Sequence, residues 1–142
     1  MTTGVSEGPR FPVSVKGVCV QDGRVLLLYN ERDEWELPGG KLELGEPPDV
    51  CVAREITEEA GWPVRVGGIL DSWQYHIREG VDVLILTYGC YVDTTAAPVV
   101  SHEHKEAALF TLDEVAGLRM PQGYRASIRN WFAHLQGHGR QR

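Results

Sequence analysis

Two periodicities alternate along this chain, and they set out its elements. Residues 11–21 are apolar and β-branched, with Val13, Val15, Val18 and Val20 in partial alternation, and they end at Asp22-Gly23. That dipeptide is a hairpin signal, so Arg24–Tyr29 is expected to run back as the partner strand. Trp35-Glu36-Leu37 then meets Pro38-Gly39-Gly40, a breaker cluster expected neither to continue a strand nor to start a regular helix. After Pro47-Pro48 the period changes: Val52, Ile56 and Ala60 recur every fourth residue, the spacing of one helix face. Gly61 and Pro63 stop that helix.

Strand-like runs follow at Val64–Ile69, Ser72–Ile77 and Val81–Val92, then a loop over Thr94–Ser101 and a last strand at Ala107–Phe110. Thr111, with Glu114 three residues on, has the form of a capping box for a short helix. Beyond Pro121 a final helix carries Tyr124, Ile128, Trp131, Phe132 and Leu135 on one stripe. Strands with helices between them, without repeat or linker, describe one layered α/β domain over residues 11–136. Polar tails are expected at 1–10 and 137–142.

Composition narrows the function classes. The chain has 142 residues, 42% hydrophobic and 24% charged, which is a globular balance and enough for an ordinary core. No apolar run approaches the ~18 residues of a membrane-spanning helix, and residues 1–10 lack the pattern of a secretory signal. Three widely spaced cysteines, Cys19, Cys51 and Cys90, suggest neither a disulfide framework nor zinc. Small buried hydrophobes in a reducing cytoplasm are the expectation. The net charge of −6 argues against binding nucleic acid through bulk charge.

That charge is unevenly spread. Residues 31–59 hold ten acids and three bases, a net of −7, so the rest of the chain nets +1. On the helix after Pro48, Glu55, Glu58 and Glu59 project within about 100° of one another. Like charges at that spacing repel, and Arg54 answers Glu58 at i+4 but relieves only part of the excess. Two readings fit: a solvated acidic face, or a site for a hard divalent cation such as Mg²⁺ or Mn²⁺. The glycine turn just upstream favours the second, because it lets backbone approach a ligand and can aim a carbonyl at it. Glu46, near the helix start, is placed to hold an arginine or backbone donors.

The run Gly40, Glu46, Arg54, Glu55, Ile56, Glu58, Glu59 and Gly61, with five residues between the first two and seven between Glu46 and Arg54, resembles the Nudix hydrolase signature. All seven strictly specified positions match; Trp62 stands where a small aliphatic residue is usual. The resemblance implies a Nudix-type α/β/α sandwich with a mixed β-sheet. It implies Mg²⁺ (or Mn²⁺) held by Glu55, Glu58 and Glu59 with the Gly39 carbonyl. Arg54 would orient a carboxylate, and Gly40, Glu46 and Gly61 would support the loop and helix. The implied reaction is hydrolysis of a nucleoside diphosphate linked to another moiety, by water attack on phosphorus. Glu58, Glu59, Arg54 and a distal glutamate would carry it. Glu103 is preferred to Glu106 for that last role, and His102 and His104 are expected on the loop surface. Members of the family often form homodimers.

Substrate readers are less marked in the chain. Tyr29, Arg32, Trp35 and Tyr75 are the candidates, the aromatics for stacking a base and Arg32 for gripping a phosphate. The marks of the ADP-ribose and dinucleoside polyphosphate subfamilies are absent from Ile77–Gly80, so no particular derivative is legible. A non-catalytic nucleotide sensor on the same fold is the alternative, and an intact set of acidic positions speaks against it. A diphosphate isomerase on the same scaffold lacks any matching Cys or Trp pattern.

Overall fold

Successive residues of Arg24–Tyr29 (β2) point into different cores. Val25 and Leu27 join one buried cluster and Leu26 and Leu28 the other, all fully buried. A strand with period two and apolar side chains on both sides is the centre of a three-layer sandwich. The computed structural model describes residues 8–140. Its strands are β1 (Val13–Gln21), β2, β3 (Trp35–Glu36), β4 (Gly39–Lys41), β5 (Val64–Arg78), β6 (Val81–Val92) and β7 (Glu106–Phe110). The helices are α1 (Pro48–Ala60), α2 (Leu112–Val115) and α3 (Gln122–Arg140).

The seven-stranded sheet is mixed, in the order β3-β2-β1-β6-β5, with β4 added to β1 and β7 to β2. β1 and β6 run parallel, and the other pairings are antiparallel. On one face α1 packs Cys51, Val52, Ile56 and Ala60 against Val15, Cys19 and Cys90. On the other, α3 brings Tyr124, Ile128 and Trp131 against Val18, Val83 and Ile85. The expected α/β/α sandwich is therefore present, and all three cysteines are free and buried. No helix among the described residues is long and apolar enough to cross a membrane.

Several boundaries depart from expectation. The Pro38-Gly39-Gly40 breaker does contribute a strand: Gly39–Lys41 pairs with β1 at Ser14, Val15 and Lys16. Gly39 makes this possible with φ of 147°, because a Cβ there would lie 2.0 Å from the Val15 carbonyl oxygen. The two strands expected at 64–69 and 72–77 are one strand, β5, whose register against β6 shifts between Val66, Ile69 and Asp71. Bulges there absorb the break in pattern at Gly67-Gly68. α3 continues through 137–140, part of the expected C-terminal tail; residues 1–7 and 141–142 of the two tails lie outside the described residues.

Candidate active site

Helix α1 aims the acidic cluster. Its entry is fixed by Pro47 and Pro48 and its exit by Gly61 in the left-handed region, whose N–H bonds the Thr57 carbonyl. With Val52 and Ile56 locked in the core, Glu55 and Glu59 turn toward the Gly39-Gly40 turn. A Cβ on Gly40 would lie 2.1 Å from Glu55 Oε1, so the glycine makes room for that carboxylate. The Gly39 N–H donates to Glu59 Oε1 at 2.8 Å.

The three carboxylates form a gradient rather than a uniform face. Glu59 is buried, with its side chain only 6% exposed, Glu55 is partly covered and Glu58 is open to solvent. Burial pushes Glu59 up to about 7, against the pull of Lys16, the Gly39 N–H and His104 toward the charged form. Burial also raises Glu55; Arg54 opposes this, and the charges of Glu58 and Glu103 add to it. Arg54 is the common counter-ion. It grips Glu46 bidentately, Nε to Oε2 at 2.7 Å and Nη2 to Oε1 at 3.0 Å. Its Nη1 donates to Glu55 at 3.1 Å and to Glu58 at 3.1 Å.

A second layer lies behind Glu59. Asn30 Nδ2 donates to Glu36 Oε1 at 3.0 Å, and His104 Nε2 pairs with Glu36 Oε2 at 2.8 Å. His104 Nδ1 lies 3.9 Å from Glu59 Oε2 and is buried without a hydrogen-bond partner among the described residues. Burial works to raise Glu36, but Lys16, His104 and Asn30 outweigh it and hold the carboxyl at about 2. His104 is raised, first by its bond to Glu36. The expectation of a surface His104 is thus wrong: the loop before β7 turns inward, Glu36 pairs with Nε2 at 2.8 Å, and Nδ1 faces Glu59 at 3.9 Å without a hydrogen bond. His102 is exposed, as expected.

Of the two distal glutamates, Glu103 carries its charge to Glu55, whereas Glu106 pairs with Tyr29 in the β7–β2 ladder. Arg32 and Tyr75 line one cavity of about 90 Å³, together with Ser14, Lys16, Glu36 and Tyr124. Tyr29 and Trp35 stand apart from it, their rings tilted by 48° at 4.9 Å, and Trp35 packs edge-on against Phe110 at 4.8 Å as part of the α3-side core. Lys16 was not legible as a site residue. The signal it left is that Ser14 and Lys16 are polar on the same strand face as apolar Val18 and Val20. Trp62, the departure from the signature, fills the α1-side core and donates its Nε1–H to the Ala96 carbonyl at 3.1 Å.

As to metal, the donor chemistry fits a hard divalent ion: carboxylate oxygens, with Glu55 and Glu59 partly desolvated. Among the described residues, however, no three such side chains are drawn together into a ready-made cage. The Arg54 guanidinium is the cation that Glu55 and Glu58 share.

An α/β sandwich with a glycine turn feeding an acidic, arginine-clamped helix is a hydrolase-type domain, and comparison with known proteins places it. The NUDIX domain model matches residues 10–135, and the chain belongs to the NUDIX family of hydrolases. It is 36% identical over 118 residues to a MutT-like protein of Streptomyces ambofaciens, covering 82% of this chain and 73% of that one. It is also 36% identical over 120 residues to the NAD-capped RNA hydrolase NudC of Mycobacterium tuberculosis, covering 80% of this chain but only 37% of NudC. A solved MutT NUDIX hydrolase from Burkholderia pseudomallei superposes with a TM-score of 0.75 at 26% identity, covering 86% of this chain and 98% of that one.

Proposed function

We propose that this protein hydrolyses a nucleoside diphosphate linked to another moiety, using Mg²⁺ held by Glu55, Glu58 and Glu59 with the Gly39 carbonyl. The observation that carries the reading is the pair Glu55 and Glu59, two partly desolvated carboxylates raised above their ordinary range beside a glycine turn. A bound divalent ion supplies charge neutralisation to the diphosphate and lowers the pKa of the attacking water. Mn²⁺ suits the same donors.

The remaining work belongs to the chain. Glu46 anchors Arg54, and Arg54 in turn sets the carboxylates of Glu55 and Glu58. The Gly39 N–H holds Glu59 from behind, with the His104 ring facing its other oxygen at 3.9 Å. Glu103, on the exposed loop before β7, is the base in this reading, supported by its charge acting on Glu55. Arg32 and Tyr75 orient the substrate from the adjoining cavity. Catalysis of this kind rests on positioning and charge rather than covalent chemistry.

Assay of the purified protein on a panel of nucleoside diphosphate derivatives, with and without Mg²⁺, tests the reading. Mg²⁺-dependent product is expected, and Glu59→Gln should lower turnover by roughly 10²–10⁴-fold. Absence of Mg²⁺-dependent product across the panel, or full activity in Glu59→Gln, would overturn it.

A further inference from the structure

The buried lysine on β1 is the least explained charge in the molecule. Lys16 is 8% exposed, and it lines the cavity of about 90 Å³ on the α3 side of the sheet. Burying an ammonium is costly unless it is paired and hydrogen-bonded. Glu36 faces it, but the Glu36 oxygens are already engaged by Asn30 and His104. Among the described residues no hydrogen bond or ion pair within 4 Å reaches Lys16 Nζ; its charge acts on Tyr124, Glu36, Glu59 and Glu55 from a distance.

The cavity's second cation is also loosely held. Arg32 reaches Glu34 at 3.7 Å and Glu36 at 3.6 Å, both too long for a hydrogen bond. Glu34 meanwhile accepts a bond from the Tyr75 hydroxyl at 3.2 Å, so a carboxylate of the chain sits at the edge of the donors. The lining thus offers two cations without a close carboxylate partner and the hydroxyls of Ser14 and Tyr124, against Glu36, whose oxygens are taken, and Glu34 at the rim, which holds the Tyr75 hydroxyl. Its volume is far below the ~300 Å³ of a pocket for a whole small ligand. That size and its cationic lining match a single phosphate group.

We propose that this cavity is a seat for a single phosphate group, with Lys16 as its buried donor and Arg32 at its rim. The cavity adjoins the carboxylate face through Glu36 and His104, so the group it takes lies beside the scissile diphosphate. The preferred substrate is then a diphosphate derivative that carries a further phosphate, and this part rests on the hydrolase reading above. An incoming phosphate replaces Glu34 at Arg32 and Tyr75.

Binding of inorganic phosphate to the full chain, followed by calorimetry without added metal, tests the seat independently of turnover. One saturable site is expected, weakened at least about tenfold in Lys16→Met and unchanged in Arg129→Gln, which removes a positive charge from the exposed face of α3. Far-UV circular dichroism checks that Lys16→Met folds; if it does not, Arg32→Gln carries the test with the same expected weakening. No saturable binding, or equal binding in a folded Lys16→Met or Arg32→Gln, would overturn the seat. Matched substrates that differ by one monoester phosphate, NADPH against NADH, separate the two sources of the group. A KM preference for the phosphorylated partner that disappears in Lys16→Met assigns the group to the substrate. Equal KM values alongside saturable phosphate binding keep the seat and overturn the substrate assignment. Phosphate binding without hydrolysis of any panel member would sink the hydrolase reading and leave the seat standing.

Discussion

Glu36 and Glu59 flank the same histidine, yet their surroundings drive them in opposite directions. Glu59 is raised to about 7 because burial outweighs its donors, and Glu36 is held at about 2 because its donors outweigh burial. A lowered folded-state pKa adds stability that is fully present above the ordinary value of 4.5 and is lost as pH falls toward 2. For Glu36 the loss is on the order of 3 kcal/mol. Urea midpoints measured from pH 6 down to pH 2 should therefore drop steeply in wild type. In Glu36→Gln that contribution should be missing from the acid limb, with stability at pH 6 already reduced. An unchanged acid limb in Glu36→Gln would show that the carboxylate does not carry this linkage. The signature carboxylates were readable because their spacing is local to one helix. Lys16 and His104 were not, because each gains its meaning from partners far away in the chain. Glu36 meets His104 across 68 residues, and no short-range pattern encodes that contact.

At the scale of elements, the glycine turn is where local preference and tertiary pairing disagree. Read alone, Pro38-Gly39-Gly40 breaks structure; in the fold Gly39 and Gly40 open β4, which pairs with β1. Gly39→Ala would drive a Cβ into the Val15 backbone in addition to imposing an unfavourable φ. We expect a loss of about 3 kcal/mol or more in chemical denaturation. Gly23→Ala, at a positive φ in the β1–β2 turn but with nothing within 4 Å of its Cβ, should cost only about 1 kcal/mol. Equal costs at the two positions would mean that strain alone, not the close approach of β4 to β1, decides Gly39. The capping box of α2 is complete, with Glu114 N–H donating to Thr111 Oγ1 at 3.2 Å and Thr111 N–H to Glu114 Oε1 at 2.8 Å. Thr111→Ala should cost about 1 kcal/mol in the same assay. β1, β2, α1 and α3 were legible because hydrophobic period and turn chemistry agree there. The continuity of β5 was not, because its pairing with β6 across two register shifts overrides the Gly67-Gly68 interruption.

Across the whole molecule, one buried polar link holds the α3 layer to the sheet. Thr87 and Ser127, both fully buried, sit 2.7 Å apart through their hydroxyls, and Ser127 donates to Asp71 Oδ2 at 2.8 Å. Ser127→Ala would remove one partner from buried Thr87 and one from part-buried Asp71, at a cost of roughly 1–3 kcal/mol. Because α3 supplies Tyr124 to the cavity proposed to take substrate, the same variant should also raise KM more than it lowers kcat. A fall in kcat alone would place the effect in the carboxylate face instead. The layered architecture and the concentration of charge in residues 31–59 were both visible in the sequence. The division of labour between the two faces of the sheet emerged only from the fold: carboxylates on the α1 side, cavity cations on the other.

The central assignment is that the acidic face of α1 is a divalent-cation site, and direct binding tests it most simply. Mn²⁺ can be titrated into the protein while the free ion is followed by electron paramagnetic resonance, alone and with a methylene-bridged nucleoside diphosphate. Saturable binding to wild type is expected, displaced by Mg²⁺ and weakened at least about tenfold in both Glu55→Gln and Glu59→Gln. No saturable binding beyond that of the nucleotide itself, or equal binding in the two carboxylate variants, would contradict it.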